Sequence, residues 1–111
     1  SIITQEIINA AVNNALRSRS YFDPWFERLR KAYKGTEFSF VKELLNKCSD
    51  EKVLNSAYIY DCAVKYGLAD SYNDLVKALK HDGYINNNDN PKIYRFNSSL
   101  LREWWHANIA N

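Results

Sequence analysis

Apolar positions recur at helical spacing along most of this chain, and the pattern breaks at glycine, proline and asparagine. Ile7, Ile8, Ala11, Val12, Ala15 and Leu16 form one stripe, with Gln5, Glu6, Asn9, Asn13 and Asn14 off it. Thr4 is placed to cap that helix. A second helix is predicted from Asp23, with Pro24 in the first turn, where a missing N–H costs nothing. It runs through Trp25, Phe26, Leu29 and Ala32 to Gly35, with Lys31 and Lys34 near its carbonyl end. Thr36-Glu37 opens a third helix, with Phe38, Val41, Leu44 and Leu45 inward and Lys42, Glu43 and Lys47 outward. Residues 48–55 read as a polar connection from which Val53 and Leu54 dip into the core.

From Ser56 onward the elements shorten. Ser56 is expected to cap a helix whose inward residues are Ile59, Cys62 and Ala63. Tyr66-Gly67-Leu68 follows as a turn, with Gly67 at the left-handed position after the helix. Ser71 caps the next helix, Tyr72 to His81, in which Leu75 and Leu79 share one face and which Gly83 closes. Tyr84-Ile85 and Ile93 to Phe96 read as short strands around a turn spanning residues 86–91, since Asn and Asp bond their own backbone. Ser98 or Ser99 caps a last helix, Leu100 to Ile109. The predicted fold is mainly α: a winged helix-turn-helix, with a three-helix core and a two-stranded β wing. Residues 1–34 form a helical extension, residues 36–111 the winged-helix domain, and its last element is a C-terminal helix.

Composition narrows the function classes. The 111 residues suit one domain, or one domain with a helical extension, and 46% hydrophobic content with 14% aromatics supports a packed core. Net charge is +2, from 15 basic and 13 acidic residues, which is weak equipment for a duplex-DNA reader. Cys48 and Cys62 have no zinc-ligand spacing and are expected to be reduced and buried. There is no apolar run of about 18 residues and no signal-peptide pattern, so a cytoplasmic protein without membrane contact is expected. The chain starts at Ser1 inside a helix-like pattern and has no Met, which points to a piece of a longer polypeptide.

Several residues have chemistry to offer. In a DNA-reading winged helix, Tyr72, Asn73, Lys77 and Lys80 would face the major groove, Asn73 toward an adenine edge and the lysines toward phosphates. Asp70, Asp74 and Asp82 on the same helix or its ends oppose that use. Lys92 and Arg95 make the wing basic, suited either to a minor groove or to keeping an edge strand solvated. Arg17, Arg19, Arg28, Arg30, Lys31 and Lys34 interleave with Tyr21, Phe22, Trp25 and Phe26, a pattern that also occurs where single strands stack on aromatics. The helical spacing of Phe22, Trp25, Phe26 and Leu29 favours a core stripe instead. Catalysis is not expected: His81 and His106 have no recognisable nucleophile partner, and no phosphate-binding glycine motif occurs.

The closing phrase K-I-Y-R-F-N-S-S-L-L-R-E-W-W, residues 92–105, resembles the end of a large group of prokaryotic P-loop ATPases. These are the AAA+/STAND-type "archaeal ATPase" proteins, also abundant in Bacteroidetes, whose C-terminal winged helix ends in Y-x-F-x-S-P-L-L-R-x-W-W. The matching residues are Tyr94, Phe96, Ser98, Leu100, Leu101, Arg102, Trp104 and Trp105, with Ser99 where the group has Pro. Residues 75–85 and 17–29 resemble the same group's recognition-helix-to-wing passage and its lid-to-wing linker. The resemblance implies a non-catalytic C-terminal portion of such an ATPase. ATP and Mg would bind only in an upstream domain, so no cofactor is expected in this chain. Residues 1–34 would be the tail of the helical lid. The implied partner is the upstream ATPase domain or another protein, with regulation or docking as the task and DNA binding by a transcription regulator as the alternative. Adjacent indoles on a helix point about 100° apart, so one of Trp104 and Trp105 is expected in the core and the other at a domain contact or the surface.

Overall fold

A computed structural model describes residues 19–110; the predicted helix over residues 4–16 lies outside them. The first described helix, α1, spans Arg19–Ala32, so it starts before Asp23 and holds Pro24 in its interior rather than its first turn. An interior proline costs about 3 kcal/mol. The helix withstands it because Phe22 and Leu29 are buried and Trp25 and Phe26 pack against the same core. Gly35, expected to end this helix, begins the next: α2 is Gly35–Glu51, and Gly35 turns the chain at a φ of +58°.

The α2 helix is longer than its sequence suggested. Residues 48–51 continue it, because Cys48 and Ser49 are buried and the Ser49 hydroxyl donates to the Asn46 carbonyl at 2.8 Å. Phe40, absent from the expected inward set, is fully buried. Lys52, in the left-handed region at φ 70°, ends the helix. Val53 is then exposed, while Leu54 is buried. Leu54–Asn55 forms a short strand, β1, that two residues of sequence could not announce.

Asn55, not Ser56, caps α3 (Ser56–Lys65): its Oδ1 accepts the Tyr58 N–H at 2.7 Å. Ile59, Cys62 and Ala63 are buried as expected. Gly67, at φ 72°, closes the helix through Leu68 N–H to the Ala63 carbonyl (2.8 Å) and Gly67 N–H to the Val64 carbonyl (3.0 Å). The next helix, α4, is Tyr72–His81 and closes in the same way at Gly83. Ser71 stands at its N-cap without a side-chain capping bond. The inward stripe is turned by one residue: Val76 and Leu79 are buried, and Leu75 is only half-buried.

The wing departs most from expectation. The asparagine run is strand rather than turn: β2 is Ile85–Asn90, β3 is Ile93–Phe96, and only Pro91 and Lys92 lie between them. Pairing runs Ile85↔Phe96, Asn86↔Arg95 and Asn90↔Ile93, so Asn87, Asn88 and Asp89 bulge opposite Tyr94. Asparagine side chains hold this bulge: the Asn87 amide donates to the Pro91 carbonyl at 3.0 Å, and Asn90 Oδ1 accepts the Lys92 N–H at 2.9 Å. The β1 strand pairs with β3 through Leu54↔Tyr94 and Asn55↔Ile93, so the expected two-stranded hairpin is a three-stranded antiparallel sheet ordered β1-β3-β2. Among the described residues the protein is therefore mainly helical with one small sheet.

Ser98 caps the last helix, α5 (Ser99–Asn108), by accepting the Leu101 N–H at 3.1 Å. Both Trp104 and Trp105 are fully buried, which corrects the expectation that one would reach the surface. The α5 helix has neighbours on two sides, so two directions about 100° apart both meet protein. Trp104 stands 5.7 Å from the Phe22 ring on α1, and Trp105 stands 5.6 Å from Phe26 and 6.3 Å from Phe96. The Trp105 indole N–H donates to Asn46 Oδ1 on α2 at 2.8 Å. Tyr84 ties α1 to the start of the sheet: its hydroxyl donates to the Trp25 carbonyl at 2.7 Å, and burial pushes its pKa up to about 12.

Candidate interaction surface

The residues singled out for nucleic-acid or partner contact gather on α4 and the hairpin, but they do not form one basic stripe. Asn73, Lys77, Lys80, Lys92 and Arg95 are exposed. Tyr72 is half-buried rather than outward, its ring centroid 6.0 Å from that of Tyr60 on α3 in an edge-to-face arrangement. Lys80 donates to Asn87 Oδ1 at 2.8 Å, which fastens α4 to β2. The Arg95 guanidinium lies 4.0 Å from the Asp89 carboxylate, an exposed pair worth less than about 1 kcal/mol. Asp70, Asp74 and Asp82 are exposed with Asp89, so four acids offset Lys77, Lys80, Lys92 and Arg95. A segment so balanced has no net pull on a phosphate chain. Tyr72, Asn73 and Tyr94 line a cleft of about 80 Å³ against α3, well below ligand-pocket size.

The resemblance-bearing residues are mostly internal. Phe96, Leu101, Trp104 and Trp105 are core, and Tyr94 is half-buried beside β1. Arg102 is half-buried and donates to the Ser49 carbonyl at 3.2 Å, linking α5 to the end of α2. Leu100 alone of this set is an exposed large apolar side chain. Arg28, Arg30 and Lys31 on α1 and Lys34 just after it are exposed, while Phe22 is buried and Trp25 and Phe26 pack on the core. Those rings are used in packing and are not a platform for bases.

Two features carried no signal in the sequence. Glu43, expected outward, is a hub between α2 and α3. Its Oε1 accepts from Lys65 Nζ at 2.8 Å and from the Tyr66 hydroxyl at 2.9 Å, and its Oε2 accepts from Cys62 Sγ at 3.0 Å. Burial pushes the Glu43 pKa up, but the three donors and the Lys65 charge outweigh it and leave the pKa lowered. Burial and the bond to Glu43 push the Cys62 thiol up to about 12, and burial pushes Cys48 up to about 11. Both are neutral thiols at pH 7 and poor nucleophiles. Beside the hub, Asn46, Lys47, Asp50, Tyr58 and His106 line a cleft of about 390 Å³. On its wall Asn46 holds the Trp105 indole and Lys47 bonds Glu51 at 2.7 Å, while the buried His106 Nδ1 has no hydrogen-bond partner among the described residues.

The second feature is the outer face of α3, where Tyr60 is 49% and Val64 51% exposed. They stand four apart and so share one helical face. No group of three His, Cys, Asp or Glu among the described residues is placed to hold a metal ion, and no helix among them is long and apolar enough to cross a membrane. Comparison with protein-family models, with curated proteins and with solved structures gives no match.

Proposed function

We propose that this chain is a non-catalytic winged-helix module that works by docking to protein, as the C-terminal portion of a P-loop ATPase of the AAA+/STAND type. The element order α2-β1-α3-α4-β2-β3, with β1 beside β3, supports the winged-helix reading. The resemblance of residues 92–105 supports the ATPase parentage. One observation carries docking over DNA binding: from Asp70 to Arg95, through α4 and the hairpin, four exposed bases are matched by four exposed acids. In this reading the module packs on the ATPase core or on a partner, and nucleotide state changes which contacts it makes.

The test is affinity for random duplex at about 50 and 200 mM salt. Docking predicts no measurable duplex binding at the lower salt. Binding that falls by orders of magnitude between the two would overturn it in favour of a DNA-binding regulator, the reading that the exposure of Lys77, Lys80, Lys92 and Arg95 favours. The parentage is tested separately by the coding sequence upstream of Ser1. An in-frame Gly-rich loop followed by Lys-Ser or Lys-Thr supports it, and a frame without one counts against it.

A further inference from the structure

We draw no further inference here: the strongest candidate, the cleft of about 390 Å³ between α2, α3 and the end of α5, carries nothing, because the unpartnered His106 Nδ1 is closed off from solvent, Glu43, Asn46 and Lys47 on its wall are already bonded within the protein, and nothing in the structure shows which ligand it would take.

Discussion

Glu43→Gln isolates a contest between burial and hydrogen bonding at one carboxylate. Burial of Glu43 favours the protonated acid, and the Cys62, Lys65 and Tyr66 donors favour the anion. Gln keeps the shape and one accepting oxygen, but its amide nitrogen must face one of the three donors. The Tyr66 hydroxyl loses a charged acceptor, a class of bond worth roughly 1.5–3 kcal/mol when intact. Lys65 is 62% exposed, so solvent screens its loss and it adds little. The Cys62 thiol is a weak donor and adds little. The expected cost is about 1–2 kcal/mol at pH 7, read from urea unfolding followed by far-UV circular dichroism. A double-mutant cycle with Tyr66→Phe should return a coupling of about 1 kcal/mol.

The pH dependence gives the sharper result. A carboxyl whose folded pKa lies below its unfolded value of about 4.3 contributes stability above that value and loses it as pH falls through the folded one. The gap between native protein and Glu43→Gln should therefore stay constant from neutral pH to about pH 5 and close below it. A gap that widens on acidification would mean burial wins and the folded pKa is raised, refuting the hub as described. A gap already near zero at pH 7 would mean the three hydrogen bonds contribute nothing net.

Two further outcomes follow from the core. Trp104→Ala and Trp105→Ala should each cost about 3–5 kcal/mol in urea unfolding, because both indoles are fully buried; a cost below about 1 kcal/mol for either would place that ring at the surface. Alkaline unfolding should set in early. Cys48 and Cys62 titrate at about 11 and 12 when folded, and unfolded thiols titrate near 8.5. Their contribution is full below about pH 8.5 and lost as pH rises toward the folded values, about 2 kcal/mol per thiol by pH 10. Stability of Cys48→Ala/Cys62→Ala that falls as steeply as the native protein's between about pH 8 and 10 would refute this.

What sequence revealed and what it hid divides by the range of the interaction. Gly67 and Gly83 end helices through bonds within five residues, so turn chemistry marked both places. The spacing of Ile59, Cys62 and Ala63 likewise marked the inner face of α3. The β1 strand depends on pairing with residues some forty positions away, and two residues show no alternation. The asparagine run looked like a turn because Asn bonds its own backbone, and it does so here within a bulged strand. Trp104 and Trp105 carried the right periodicity, but which side of α5 lay open depended on whether α1 covered it. Of the candidate site, the exposed basic residues were legible; their offset by Asp89 and the hub at Glu43 arise only where α2, α3, α4 and the hairpin meet.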